Sequence, residues 1–382
     1  MSAVAEMRSP PPLRERLRQW RRGLVANPAF QRWAASFPLT RRLADRRARS
    51  LFDLCAGFVY SQILAACVRL DLFARLAERP RSSLELSAEI GLTPEATERV
   101  LRAAVALKLL ETVRGGRFAL ADLGAAMIGN PAIAAFVEHH ALLYDDLRDP
   151  VALLKGETSA SLARFWPYAS RRPGDPPPLG AARAFAKYSE LMSRSLAMIA
   201  EDVLDAFPLG TARNWLDVGG GEGAFLAALA KRAPQLDLML FDLPPVAARA
   251  RAALENQGLS SRVRVLEGDF LTDPLPQRAE IVSLVRVLHD HDDESARLLL
   301  GRTHAALVPG GRLLIAEPMA ATRGAEPVGD AYFGFYLLAM GRGRARSAAE
   351  IGDLLIGAGF KAAISLRNRR PLLASVVTAT AV

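Results

Sequence analysis

The sequence predicts an α/β protein, a mostly parallel sheet flanked by helices, standing behind a smaller helical segment. Strands and helices alternate from residue 208 to residue 382, and a short apolar strand there runs directly into the glycine run Gly219–Gly223. A helix, turn, helix and hairpin pattern fills residues 51–125. Of 382 residues, 51% are hydrophobic and 23% charged, which suits a globular chain with a large core and excludes a disordered, collagenous or solenoid-like one. The expected organisation has four segments: 1–50, 51–125, 126–207 and 208–382.

The first 50 residues hold 12 arginines against three acids, and so account for the whole net charge of +9. The rest of the chain is neutral, which argues against an evenly basic nucleic-acid binder and points to a local anionic partner for this head. Leu13, Leu17, Trp20 and Leu24 recur at helical spacing between Arg14, Arg18, Arg21 and Arg22, and Trp33 and Phe37 repeat the theme after Pro28. Such helices pack on protein, on the body or on a dimer mate. The sharper expectation is peripheral contact of residues 1–40 with an anionic membrane surface.

Cys55 and Cys67 are the only cysteines, so no disulfide framework exists and a reducing, cytoplasmic setting is expected. The uncharged run Leu54 to Val68 is 15 residues, short of the roughly 18–20 that span a bilayer, and is read as a buried helix. The apolar helix expected over Leu51 to Ala77 leads to Ser82, which with Glu85 makes a capping box. Gly91 stops that helix, and Thr93-Pro94 caps the next, through Leu107. Strands at Leu110–Val113 and Phe118–Leu120 around Gly115-Gly116 complete a winged helix. Its second helix mixes Glu95 and Glu98 with Arg99 and Arg102, a poor face for phosphates, so dimerisation is the better reading and no nucleic-acid partner is expected.

Residues 125–168 read as apolar helices carrying His139-His140 and Tyr144; Pro167–Gly180 is a Pro- and Gly-rich loop, and a helix follows over Ala181 to Phe207. The strand Asn214–Val218 then meets Gly219–Gly223, where glycine lets backbone approach a ligand and the next helix, Ala224–Arg232, offers its N-terminus to an anionic group. Gly219, Gly221 and Ala224 also satisfy the dinucleotide fingerprint, so the glycines alone leave a nicotinamide cofactor open. Asp242 ends the second strand, 19 residues after Gly223, where a carboxylate accepts ribose hydroxyls. Asp269-Phe270 follow the third strand, an acid and a ring suited to an adenine. The fourth strand leads to Arg286 and to Leu288-His289-Asp290-His291, and the fifth ends on Glu317.

Leu216-Asp217-Val218-Gly219-Gly220-Gly221, Phe241-Asp242-Leu243-Pro244, Gly268-Asp269-Phe270, Leu288-His289-Asp290 and Pro309-Gly310-Gly311 resemble, in order, the S-adenosylmethionine-dependent O-methyltransferases with an N-terminal dimerisation winged helix. The resemblance implies a class I methyltransferase, Rossmann-like sheet over 208–382, a winged-helix dimerisation domain over 51–125, and 126–207 contributing to an acceptor pocket. It implies S-adenosylmethionine in place of a nicotinamide, a homodimer, and no metal. Asp217, Gly219, Gly221, Asp242, Asp269, Phe270 and Arg286 are the implied cofactor contacts; His289 is the implied general base, with Asp290 or Glu317 to orient it.

A narrower resemblance lies outside those motifs. Phe30-Gln31-Arg32-Trp33, Leu51–Gln62, Arg164-Phe165-Trp166-Pro167-Tyr168 and Leu284-Val285-Arg286-Val287-Leu288 are similar to the hydroxycarotenoid O-methyltransferases of purple bacteria, which implies an apolar tertiary alcohol as acceptor. A phenolic or polyketide hydroxyl is the alternative acceptor, and a regulator with a vestigial methyltransferase domain the alternative class. Relatives often have Lys near Arg286, plant relatives have Trp where His291 stands, and their second base-flanking glutamate is replaced by Ala345. The two-glutamate scheme for holding the base therefore does not transfer whole. Met192, Met198, Phe333, Phe335 and Met340 are candidate pocket residues.

Overall fold

A computed structural model describes residues 12–158, 160–166, 196 and 199–382. It divides into two compact units, 1–125 and 126–382, where four segments were expected. The boundary expected at residue 50 falls inside one continuous helix, Pro38–Arg69.

In the first unit, helices Leu13–Ala26 and Pro28–Ser36 precede that long helix. The long helix stops at Leu70, because Asp71 turns left-handed (φ 53°) before the short helix Leu72–Ala77. So the expected helix over Leu51 to Ala77 begins earlier and is broken near its end. The reading of Leu54 to Val68 as buried is also corrected. Within the single chain only Ala65 and Cys67 of this helix are buried, while Leu54 is 81% and Phe58 68% exposed. By length and composition the helix is apolar enough to cross a membrane. An apolar pattern marks a face that water disfavours; it does not say whether this chain or another body covers it.

The winged helix forms as its local signals require. Ser82 and Glu85 make the capping box of Ser83–Ile90, Gly91 ends it at φ 71°, and Thr93 caps Pro94–Ala106. Both oxygens of Glu85 accept from Arg117 at 2.7 Å, fastening the hairpin of β1 (Leu110–Val113) and β2 (Arg117–Leu120) to that first helix. On the second helix Arg102 pairs with Glu98, so part of its positive charge is neutralised in place.

The second unit is built on seven strands: β3 (Asn214–Val218), β4 (Asp237–Asp242), β5 (Val263–Glu267), β6 (Ala279–Val285), β7 (Leu307–Glu317), β8 (Phe360–Leu366) and β9 (Ser375–Ala381). Their order is β5-β4-β3-β6-β7-β9-β8, with β9 antiparallel to both neighbours and the other pairings parallel. Side chains alternate across the sheet. Trp215, Leu238, Leu240, Ile281 and Leu314 enter one core with Phe225 and Leu229, while Leu216, Met239, Val282 and Leu313 enter another with Leu299 and Ile351. The strand order reverses between β3 and β6, so their C-terminal ends open a crevice, the place where open parallel sheets bind ligands.

A third core joins Leu143, Leu162 and Trp166 to Phe333, Tyr336 and Met340. The helices Pro131–Asp146 and Ser161–Phe165 lie within the helical reading of 125–168. The expected loop from Pro167 and most of the helix over Ala181 to Phe207, with Met192 and Met198, lie outside the described residues; 199–206 is helical. We predict that Ser82→Ala, which removes the cap and one anchor of Glu85, lowers stability by about 0.5–2 kcal/mol. Denaturation of the full chain, followed by the first unit's signal, measures it.

Candidate active site

The crevice starts from a backbone constraint. Gly219 follows β3 with φ 70° and gives its amide to Phe241 O of β4 at 2.8 Å. A Cβ on Gly219 would lie 2.8 Å from the Val287 side chain beyond β6, in a conformation that L side chains rarely adopt. Bare backbone at this point leaves a cleft lined by Gly219, Asp242, Asp269, Phe270, Arg286 and Asp290, with apolar walls that include Leu243, Leu271 and Val287. The expected cofactor residues thus gather, except that Asp217 and Gly221 are not among the lining residues. The apolar walls were missed by the sequence reading, though each flanks a residue it named.

Asp217 is buried at the end of β3. Its Oδ1 accepts from Ser283 Oγ, which itself accepts from Trp215 Nε1 at 2.8 Å, while Oδ2 has no protein partner. Burial pushes its pKa up to about 7 against the pull of Ser283, and the neighbouring Asp242 pushes it further the same way. Asp242, partly open to the cleft, is also pushed up to about 7 by its apolar surroundings, against amide donors. Its oxygens accept from Gly221 N at 2.8 Å and Leu243 N at 2.7 Å. Each carboxylate oxygen has a second lone-pair site, so capacity remains for two ligand hydroxyls. Asp269 accepts from Leu271 N at 2.9 Å, and Phe270 meets His291 edge-on at 5.2 Å. Arg286 holds a left-handed backbone (φ 59°) with its amide on Ala316 O of β7 at 2.8 Å. Such strain persists only where the surroundings enforce it.

His289 is only 3% exposed, and burial, then the positive charge of Arg286, keeps its pKa well below 6.5; the imidazole is neutral at pH 7. Nε2 lies 3.3 Å from Asp290 Oδ1, Nδ1 has no protein partner, and the ring stacks on Phe333 at 5.8 Å. Glu317 does not contact the ring; its Oε2 accepts the His289 backbone amide at 3.0 Å. Burial pushes Glu317 up to about 8, so it is largely protonated at pH 7. Of the two acids named to orient the base, Asp290 therefore lies against the imidazole and Glu317 holds the chain that carries it. Among the candidate pocket residues, Phe333 and Met340 are buried, with Phe335 packed beside them. His139 and His140 each meet a tyrosine hydroxyl, of Tyr336 and Tyr332, at 2.7 Å. Among the described residues, no group of three or more His, Cys, Asp or Glu side chains is placed to hold a metal.

The cradle fits S-adenosylmethionine: bare backbone at Gly219, a hydroxyl acceptor at Asp242, and an acid with a ring at Asp269 and Phe270. Because an ionised Asp242 is the better acceptor, S-adenosylmethionine affinity should rise as pH climbs through about 7. Asp242→Asn should lose most of that affinity and flatten the dependence, as read by calorimetry from pH 6 to 8.5. Gly219→Ala should weaken binding at least tenfold at every pH.

Comparison with known proteins agrees with this geometry. An O-methyltransferase domain model matches residues 145–361, and an O-methyltransferase dimerisation domain model matches 52–130. Demethylspheroidene O-methyltransferase of Cereibacter sphaeroides is 47% identical over 356 residues, 93% of each chain. That of Rhodobacter capsulatus is 42% identical over 342 residues, 90% of this chain and 84% of its own. Among solved structures, the SAH-bound form of CalO1, a methyltransferase in calicheamicin biosynthesis, superposes with a TM-score of 0.73 at 26% identity, covering 88% of this chain and 98% of that one. The cofactor is accordingly S-adenosylmethionine, and the dimerisation domain supports a homodimer acting on a small molecule. A sheet whose switch point carries this cradle, behind a dimerisation domain, places the chain in the family of S-adenosylmethionine-dependent O-methyltransferases.

Proposed function

We propose that the chain methylates the tertiary hydroxyl of a hydroxycarotenoid, with His289 removing the hydroxyl proton. The observation that carries the base role is a buried, neutral imidazole with one nitrogen near Asp290 and the other without a protein partner. The substrate class is supported by the 47% identity to an enzyme named for demethylspheroidene, which extends over 93% of the chain.

When bound, S-adenosylmethionine supplies an electrophilic methyl group, so the protein's work is alignment and proton removal. Asp242 would hold the ribose, and Asp269 with Phe270 the adenine. Arg286, at the cleft wall, would contact the cofactor's polar end. Asp290 holds Nε2 in its tautomer, leaving Nδ1 as the proton acceptor. A tertiary alcohol is too weakly acidic to ionise beforehand, so the proton leaves as the oxygen attacks. The apolar cluster of Phe333, Tyr336 and Met340 beside His289 suits an acceptor that offers one hydroxyl and a long hydrocarbon.

We also propose that the head carries the enzyme to the membrane where such a substrate resides, from the cytoplasmic side. Leu13–Ala26 and Pro28–Ser36 have no buried residue except Ala34, and Trp20 stands 66% exposed among arginines. The bare Leu51, Leu54 and Phe58 of the next helix fall in or beside the dimerisation domain, and a second copy is their proposed cover.

Incubation with labelled S-adenosylmethionine and a panel of hydroxylated carotenoids and phenols tests the acceptor; labelled phenol with unlabelled carotenoid would overturn it. His289→Ala should cut turnover by about 10²–10⁴-fold with cofactor affinity kept. Deleting residues 1–40, or adding salt, should reduce sedimentation with anionic liposomes. Binding unchanged in both would return the head to dimer packing.

A further inference from the structure

The loop Leu288–Asp293 that carries His289 is gripped from one side by the segment 342–346. Arg346 is fully buried, at 0% exposure, and is the only Lys or Arg in that state among the described residues. Burying a guanidinium is unfavourable unless its donors are all engaged. Here each nitrogen donates: Nη1 to Leu288 O at 3.1 Å, Nη2 to His291 O at 2.8 Å and to Asp293 Oδ1 at 2.7 Å, and Nε to the same Asp293 oxygen at 3.0 Å. The carbonyls it holds lie on either side of His289. Arg344 also donates to Asp293, Arg342 pairs with Asp292, and Gly343 packs so closely that a Cβ there would stand 2.5 Å from His289 O. The Arg346 carbonyl in turn accepts from Ala320 N at 3.0 Å, tying the grip to the chain beyond β7.

We propose that Arg346 is a positioning residue for the methyl transfer, fastening the loop on both sides of His289 and setting its imidazole against Asp290 and Phe333. It rests on the reading of His289 as the base. The fixed positive charge has a second consequence. The groups facing His289 are Asp290 and His291 on its own loop, Arg286 from β6, Glu317 from β7 and Arg346. Tyr336 and Tyr332, on the segment that carries Phe333, add hydroxyls that stay neutral. Burial lowers the His289 pKa most, and Arg286, His291 and Arg346 lower it further. Removing Arg346's charge should therefore move the His289 titration upward.

The test compares Arg346→Met, Arg346→Lys and His289→Gln in the full chain, reading turnover, S-adenosylmethionine affinity by calorimetry, and histidine ring titration by NMR, with His289→Gln assigning the His289 signal. Arg346→Met should lower kcat by about 10–100-fold, as a misplaced base does, with cofactor affinity within about twofold. Its His289 titration should move upward. Arg346→Lys keeps the charge but not the fork. It should leave the titration in place and recover only part of the turnover. Wild-type turnover in either variant overturns the proposal, and so does a loss of turnover matched by loss of cofactor affinity with the titration unmoved. If the Met variant does not fold, the Lys variant decides by turnover and cofactor affinity: reduced turnover with affinity kept supports the proposal, and wild-type turnover or a matched loss of affinity overturns it. Full turnover in His289→Gln would remove the base reading instead, leaving the titration shift to judge the Arg346 grip.

Discussion

The site depends on the close approach of two strand ends. Gly219 beyond β3 and Val287 beyond β6 come so near that no side chain fits between them, and Gly219 sits in a left-handed conformation besides. The cleft exists because backbone, without a Cβ, forms its floor. β4 and β5 then place Asp242 and Asp269 along one rim, and β6 places Arg286 and the His289 loop along the other. A shift of any of these strands would move a binding group away from the floor it shares.

Burial determines the chemistry of the groups around that floor. Asp217, Asp242 and Glu317 are all driven toward their neutral forms, while His289 is driven away from its charged one. The result is a base that is free of its proton near neutral pH, with Asp290 against one ring nitrogen. The opposing positive charges, Arg286 at the cleft and Arg346 behind the loop, act in the same direction on His289. The loop that carries it has firm backbone support. Glu317 on one backbone amide and Arg346 on the flanking carbonyls provide it.

Local signals in the chain were enough to mark most elements. The capping box of Ser82 and Glu85, the Thr93-Pro94 start and the Gly91 stop act within a turn of helix, and the helices began and ended there. The short apolar strands before Gly219 and Asp242 were legible because a parallel strand covered on both faces is a nearly unbroken apolar run. The long helix was read less well. Its start at Pro38 and its break at Asp71 carry weak local signals, and its apolar stretch gave no sign that the single chain leaves it bare.

The sequence by itself determined the order of the elements, the glycine floor and the identity of the acids, ring and histidine at successive strand ends. These rest on backbone freedom, periodicity and residue type, which are local properties. Only the tertiary structure decided what each group touches. It put Asp290 against the imidazole and Glu317 on the backbone, left Asp217 out of the cleft lining, and brought Arg346, 57 residues after His289, onto the two carbonyls beside it. No local pattern encodes such contacts, because they depend on which strand ends and which loop meet once the sheet has packed.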